Sequence, residues 1–154
     1  MRARLEAIHR RISAACVSVG RSESDVTLIA VSKTQPVERV LEAYELGVRH
    51  FGESRLQEAL PKVKALPKDL TWHFVGTLQS NKVRSAASQF DVLHTICTIS
   101  QLNELSKSNR CDILVEVNIG KEPQKSGVLP ENVEEFVESV LQCKQANFRG
   151  LMAI

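Results

Sequence analysis

The sequence predicts an α/β protein built around a parallel β-sheet. Six short apolar segments recur along the chain, one in about every 20 residues, and a single segment with helical periodicity separates each from the next. Strands that are joined by single helices of this length pair in parallel through right-handed crossovers. Six such strands in series suit either a doubly wound sheet or part of an eight-stranded barrel.

The chain begins with an amphipathic helix. Its apolar residues recur at steps of three and four, and Gly20 follows as a C-cap. Most of the arginines in this segment lie off the apolar stripe, so we expect the helix to cover part of the core. The stripe consists of Leu5, Ile8, Ile12, Ala15 and Val19.

The first strand, residues 27–33, is an apolar and β-branched run that carries no charge until Lys33. Such a run is typical of a strand that is covered on both faces, so we expect it to be fully buried. Pro36 ends the strand and suits the first turn of a helix over residues 36–46. Gly47 is the C-cap of that helix.

The alternation of strand and helix then continues to the end of the chain. The later strands are apolar and β-branched runs, and the helices between them have apolar residues at helical spacing. Pro67 and Gly76 mark two of the boundaries. The predicted strands are 48–51, 71–75, 91–96, 112–118 and 148–154, and the predicted helices are 54–66, 79–88, 100–107 and 130–145.

Lys33 is the strongest candidate for a functional residue. It ends a strand at the carboxyl edge, where barrels and open α/β sheets hold their chemistry. Partial burial would favour loss of the proton from its amine, which could then form a Schiff base with an aldehyde or ketone. The structural alternative is a lysine in a salt bridge, for instance with Glu53 from the neighbouring strand. The pattern leaves both interpretations open.

The composition is that of an ordinary globular protein and argues against several function classes. Twenty basic and eighteen acidic residues give a net charge of +2, which is too balanced to indicate nucleic acid or an anionic membrane as a partner. No apolar run approaches the length of a membrane span. The N-terminal segment lacks an apolar signal core, and the four cysteines have no Cys-x-x-Cys spacing. We therefore predict a cytoplasmic protein with reduced thiols and no zinc site.

The sequence has few further features of known kinds of site. Glu116 and Asn118 share one face of the predicted fifth strand, so they either line a site or pair internally. The segment 120–127 superficially resembles a phosphate-binding P-loop, but Gln124 stands where that loop requires glycine. No dinucleotide-binding fingerprint is present, and the four histidines lack the helical spacing of metal ligands.

A set of motifs in a fixed order resembles one family. Together they are similar to the pyridoxal 5′-phosphate homeostasis proteins, also called proline synthase co-transcribed homologues. The resemblance runs from the first strand to the end of the chain, and the motif beginning at His73 is highly specific to the family. The motifs are 30–36 (AVSKTQP), 51–53 (FGE), 73–82 (HFVGTLQSNK), 117–119 (VNI), 125–127 (KSG) and 149–152 (RGLM).

The resemblance implies a TIM-type (β/α)8 barrel similar to the N-terminal domain of alanine racemase, with residues 1–154 in a single domain. It implies that Lys33 holds pyridoxal 5′-phosphate (PLP) as an internal aldimine. His73, Asn118 and Met152 fall on motifs that border the cofactor in such proteins. Ser54, which stands where many members have asparagine after Phe-Gly-Glu, completes the predicted cofactor-binding set.

Family members are carriers that influence vitamin B6 and amino-acid balance, without established turnover. The resemblance therefore implies a PLP-binding protein rather than an enzyme, with PLP-dependent apo-enzymes as candidate partners and a monomeric full-length form. A PLP-dependent amino-acid racemase is the main alternative, although racemisation needs a second acid–base group that the sequence does not identify. A cofactor-free Schiff-base aldolase is the third.

The chain stops inside an apolar strand, at 151–154. We therefore expect it to be the front of a longer polypeptide that lacks the last strands and the loops that hold the cofactor phosphate in the family. Open sheet edges expose unpaired backbone groups, and absent phosphate contacts remove charge-assisted hydrogen bonds. These 154 residues alone are expected to aggregate or oligomerise and to lose PLP on gel filtration.

Overall fold

A computed structural model describes all residues, Met1–Ile154, and contains one sheet of six parallel strands. The strands lie in the order in which they occur along the chain, each beside its sequence neighbours. This sequential order is that of a (β/α)8 barrel and excludes the doubly wound alternative, in which the strand order reverses at a switch point. The strands are β1 (Ala30–Val31), β2 (His50–Glu53), β3 (Thr71–Phe74), β4 (Val92–Ile96), β5 (Cys111–Glu116) and β6 (Ala146–Met152).

One α-helix precedes the sheet and one lies between each pair of strands. Three short 3-10 helices accompany them, at Glu23–Asp25, Ser80–Lys82 and Pro130–Asn132. The α-helices are α1 (Arg2–Ser18), α2 (Val37–Glu45), α3 (Leu56–Ala65), α4 (Val83–Ala87), α5 (Ile99–Leu105) and α6 (Val133–Gln142). The predicted alternation of strand and helix is therefore confirmed.

The hydrophobic core joins one face of the sheet to the helices. Side chains alternate across a strand, and those of the helix-facing set are almost completely buried. Phe51, Leu93, Ile113 and Val115 are each no more than 1% exposed and belong to a single core cluster that includes Val40 of α2 and Val140 of α6. The opposite face carries partly buried and polar residues, which is the arrangement expected of the inside of a barrel.

Three predicted elements differ from the structure. The first strand pairs only at Ala30–Val31 and is not fully buried, since Val31 is 51% exposed. It lies at one edge of the sheet, where it pairs with β2 alone. The predicted helix over residues 79–88 is a 3-10 turn followed by the short helix α4. The first helix also covers less than expected, because Ile8 and Val19 are exposed.

Helix α5 shows how local sequence sets an element boundary. The side chain of Thr98 accepts a hydrogen bond from the backbone N–H of Gln101, and the Gln101 side chain accepts one from the backbone N–H of Thr98. This reciprocal capping box satisfies donors that the first turn of a helix leaves free. Among all the helices, none is both long and apolar enough to cross a membrane.

Candidate functional site

Lys33 lies immediately beyond β1, at the carboxyl edge of the sheet. Its side chain is exposed and has no hydrogen-bond or ion-pair partner. The predicted partial burial is therefore wrong, because β1 is an edge strand whose end is open to solvent. The salt bridge to Glu53 is also absent, since Glu53 pairs with Lys62 of α3 instead, at 2.6 Å.

A tight turn presents Lys33. The backbone N–H of Gln35 donates to the carbonyl oxygen of Ser32 at 3.1 Å, which makes Lys33 and Thr34 the central residues of the turn. Thr34 has a φ of 62°, a left-handed conformation that is strained for a β-branched residue. Strain of this kind persists where the surrounding structure holds it, and it is frequent at functional sites.

Ser54 follows β2 and is fixed by the neighbouring strand. The backbone of Ser54 lies so close to Gly76 that a β-carbon on the glycine would be 2.2 Å from the Ser54 carbonyl oxygen. The Gly76 carbonyl in turn accepts a hydrogen bond from the hydroxyl of Thr95 at 2.7 Å. Ser54 lines a groove of about 530 Å³ between α3 and the segment 77–89, and Lys33 is not part of that groove.

Asn118 shapes the loop that follows β5. Its side-chain NH2 donates to the carbonyl of Glu122 at 2.9 Å, and its Oδ1 accepts from the Glu122 backbone N–H at 3.1 Å. The same NH2 also lies 3.4 Å from the carbonyl of Lys125. Asn118 is buried, and the hydrogen bonds of its amide hold the loop 118–125 closed. The amide is therefore largely unavailable for other hydrogen bonds.

A cavity of about 240 Å³ lies beside this loop, and Glu116 and Asn118 both line it. Burial raises the pKa of the Glu116 carboxyl. Met152 is half-buried and is aligned with Glu116 across the β5–β6 pairing. Glu116 at the end of β5, Asn118 in the loop that follows and Met152 at the end of β6 are thus brought together. The cavity is also lined by Thr77, Val117, Gln124, Lys125, Ser126 and Ile154.

His73 is the middle member of a line of three histidines on neighbouring strands. Its Nε2 is 3.0 Å from Nδ1 of His50, and its Nδ1 is 2.9 Å from Nε2 of His94. Burial, reinforced by the two neighbouring rings, lowers the pKa of His73 to about 4. Burial also lowers the pKa of His94. Both ring nitrogens of His73 are therefore occupied by neighbouring histidine rings, and neither is free for a ligand.

The sequence did not predict the histidine line, because the four histidines were compared only with the helical spacing of metal ligands. The signal that could have found it is the repeat of the fold itself, because His50, His73 and His94 are separated by one βα unit each. Residues in diagonal positions of adjacent strands are within reach of one another. The ring of His73 contacts each of the other two, and the three are not arranged around a metal site.

The five predicted site residues therefore occupy one edge of the sheet without forming one cluster. Asn118 lines the cavity after β5, and Met152 pairs with Glu116 of that cavity. His73 lies within the histidine line, and Ser54 borders the outer groove. Lys33 has its free amine at the end of β1. The arrangement supplies the unpartnered primary amine of Lys33 at the carboxyl edge, together with buried polar groups from the following strands.

Comparison with protein families matches residues 4–154 to the alanine racemase N-terminal domain. The pyridoxal phosphate homeostasis protein of Aquifex aeolicus is 40% identical over 157 residues, which cover 98% of this chain and 69% of that protein. The protein of the same name from Escherichia coli is 37% identical over 159 residues, covering 97% of this chain and 68% of that protein.

Solved structures give the same relationship. PipY from Synechococcus elongatus superposes with a TM-score of 0.79 without PLP and 0.73 with PLP bound. It is 34% identical to this chain in both comparisons, which cover 92% and 93% of the chain and 69% and 70% of PipY. Alanine racemase from Clostridium difficile has a TM-score of 0.69 at 13% identity, which supports the fold alone. This comparison covers 94% of the present chain and 39% of the racemase chain. The chain belongs to the pyridoxal phosphate homeostasis protein family, whose fold is that of the alanine racemase N-terminal domain.

Proposed function

We propose that this protein binds PLP covalently through Lys33 and acts in vitamin B6 and amino-acid homeostasis. The observation that carries the proposal is the free amine of Lys33, which stands at the carboxyl end of β1 without any partner. The relatives named for PLP homeostasis and the relative solved with PLP bound support the choice of ligand.

The residues at this edge fit such a ligand. When bound, PLP supplies an aldehyde, with which an unprotonated primary amine condenses to form a C=N bond and release water. Lys62 and Lys125 are less available, because Lys62 is buried against Glu53 and Lys125 pairs with Glu122 at 2.6 Å. Lys121, in the loop after β5, also has a positive φ, but its amine pairs with Glu131 at 3.0 Å. Lys33 combines a strand-end position and a strained turn with an amine that has no partner.

The remaining predicted residues would act around this amine in different ways. The hydroxyl of Ser54 offers a hydrogen bond at the end of β2, and Met152 offers a half-buried apolar contact at the end of β6. Asn118 would act through the loop that its amide closes. His73 would act through its two histidine neighbours, since its own ring nitrogens are occupied.

We propose a carrier rather than a racemase, because the relatives are named for PLP homeostasis. Racemisation requires an acid–base group on each face of the substrate α-carbon. Tyr44, the only tyrosine, lies near the end of α2, and its hydroxyl is 3.2 Å from Asp69 while Arg49 stacks over its ring. Because α2 runs back from the edge at which Lys33 lies, Tyr44 is directed to the opposite end of the sheet.

We extend the proposal to the partners, the compartment and the oligomeric state of the protein. PLP-dependent apo-enzymes are the proposed recipients of the cofactor, and neither nucleic acid nor a membrane is a proposed partner. All four cysteines are free, which suits a reducing compartment such as the cytoplasm. The full-length protein is proposed to be a monomer.

Absorbance titration with PLP tests the proposal. We expect saturable binding by the wild type, loss of the bound-cofactor absorbance band in Lys33→Ala, and no loss in the control Lys82→Ala, which removes an exposed lysine. An amino-acid racemisation assay on the loaded protein should detect no turnover. Equal binding by wild type and Lys33→Ala would contradict the covalent assignment, and steady racemisation would favour the enzyme.

A further inference from the structure

A buried ion pair lies behind the turn that carries Lys33. Nζ of Lys62, on α3, is 2.6 Å from Oε1 of Glu53, at the end of β2, and the two side chains are only 7% and 0% exposed. Removing two charges from water costs free energy that their mutual attraction often fails to offset. The other carboxylate oxygen, Oε2 of Glu53, is buried without any hydrogen-bond partner. Stability alone therefore explains this pair poorly.

The further contacts of the pair converge on Ser32, the residue before Lys33. Nζ of Lys62 donates to the Ser32 carbonyl oxygen at 2.7 Å. The hydroxyl of Ser32 donates to Oε1 of Glu53, also at 2.7 Å. Ser32 is 5% exposed, so these are charge-assisted hydrogen bonds in the interior, where they are strongest.

The carbonyl that Lys62 holds is also the one that closes the turn. Gln35 donates its backbone N–H to that oxygen at 3.1 Å, and Thr34 between them has a φ of 62°. On the other side of the turn, the Thr34 backbone N–H lies 3.4 Å from Oε2 of Glu58. The left-handed conformation of Thr34 is thus held from α3 by both Lys62 and Glu58.

We propose that the Glu53–Lys62 pair is a positioning device for Lys33, which fixes the Ser32 carbonyl and thereby the direction in which the turn presents the Lys33 amine. The proposal rests on the proposed function, because the bond that benefits is the one between Lys33 and PLP. None of the three supporting side chains hydrogen-bonds to Lys33, so they are positioning residues rather than catalytic ones.

The test replaces the pair while avoiding an unpaired buried charge. The double variant Glu53→Gln/Lys62→Met keeps the side-chain volumes and removes both charges, whereas the single variant Lys62→Met would leave the carboxylate alone in the interior. Lys64→Met is the matched control, because Lys64 lies on the same helix but is exposed. Ser32→Ala is a milder variant that removes one hydrogen bond to Glu53 and serves if the double variant does not fold.

The first readout needs no cofactor. Amide hydrogen exchange at Gln35 reports the bond to the Ser32 carbonyl, and we expect it to accelerate at least tenfold in the double variant, by a smaller factor in Ser32→Ala, and not in Lys64→Met. Unchanged exchange at Gln35 in a folded double variant, or in Ser32→Ala if the double variant does not fold, would overturn the positioning role, whatever the protein binds.

The second readout is the dissociation rate of bound PLP. The double variant should still be modified at residue 33 by borohydride at saturating PLP, but release PLP at least tenfold faster than the wild type. Dissociation within twofold of the wild type would overturn the proposal. A wild type that is never modified at residue 33 would instead overturn the proposed function, while the exchange experiment on the turn would still decide the structural claim.

Discussion

Gly76 and the backbone of Ser54 touch so closely that no other residue fits at position 76. A β-carbon there would lie 2.2 Å from the Ser54 carbonyl oxygen and 2.7 Å from its α-carbon, and both of these are backbone atoms that cannot rotate away. This contact joins the ends of β2 and β3, where the predicted site residues begin. The requirement for glycine at position 76, within the motif most specific to the family, is therefore steric.

Gly76→Ala should therefore destabilise the fold by at least about 2 kcal/mol, because the adjacent strand ends must separate to admit the methyl group. Urea unfolding measures the change. Gly120→Ala is the control, since a β-carbon at position 120 meets only the flexible side chain of Glu122. A loss of less than about 0.5 kcal/mol at position 76, which is the usual range for harmless surface changes, would show that the contact is not rigid.

The stability of the protein should fall with acid in a window set by His73. Its folded-state pKa of about 4 lies below the ordinary value of 6.5, so the unfolded chain binds the proton first as the pH falls. The contribution of His73 to the free energy of unfolding is fully present above about pH 6.5. It declines by roughly 1.4 kcal/mol per pH unit as the pH falls to about 4. The lowered pKa of His94 adds to the slope.

Urea unfolding between pH 7.5 and 4.5 measures this slope in the wild type and in His73→Gln. The variant should show a shallower dependence, whereas His9→Gln, which changes an exposed histidine on α1, should not. Equal slopes in wild type and His73→Gln would mean that the histidine line does not exclude protons in the folded state.

The side chain of Gln101 should contribute strongly to the stability of the carboxyl edge of the sheet. Its amide NH2 donates to the carbonyls of Leu78 and Thr95, at 2.6 and 3.1 Å. Its oxygen accepts from the backbone N–H groups of Cys97 and Thr98, at 2.7 and 2.9 Å. Gln101→Leu would leave these four backbone groups without their partner. Two of them belong to the buried residues Leu78 and Thr95, and each unsatisfied buried group costs about 1–3 kcal/mol when water cannot replace the bond.

We expect Gln101→Leu to lose at least about 2 kcal/mol of unfolding free energy and to expose the amides of Cys97 and Thr98 to hydrogen exchange. Asn103→Leu, an exposed change on the same helix, is the matched control. If both variants unfold at the same urea concentration as the wild type, the network contributes nothing to stability.

Retention of PLP by these 154 residues should be weak. Lys33 is exposed to solvent, so the covalent bond proposed there is open to water and reversible. Gel filtration of the loaded protein should strip most of the cofactor. Recovery of stoichiometric PLP with the protein peak would show that these residues hold the cofactor more firmly than the exposure of Lys33 suggests.

The sequence predicted the order of the elements well because apolar periodicity is local. Helix α6 and strand β5, for example, follow directly from their patterns of apolar residues. The burial of Lys33 was predicted wrongly because the same apolar run can lie in the middle of a sheet or at its edge, and only the pairing of β1 decides this. Local pattern carries no information about edge position.

Contacts between distant residues were the other part that the sequence could not provide. The pairing of Glu53 with Lys62 rather than Lys33 depends on which face of α3 packs against the end of β2. The histidine line depends on the register of β2, β3 and β4. Both are long-range properties that become visible only when the strands are aligned.

Borohydride reduction of the protein at saturating PLP, followed by peptide mapping, tests the central claim most directly. It does not require tight retention, because reduction makes the bond permanent. We predict a single major modified peptide, the one containing Lys33, and its disappearance in Lys33→Ala but not in Lys82→Ala. Modification that falls wholly on Lys82 or Lys125 in the wild type, with residue 33 unmodified, would contradict the account.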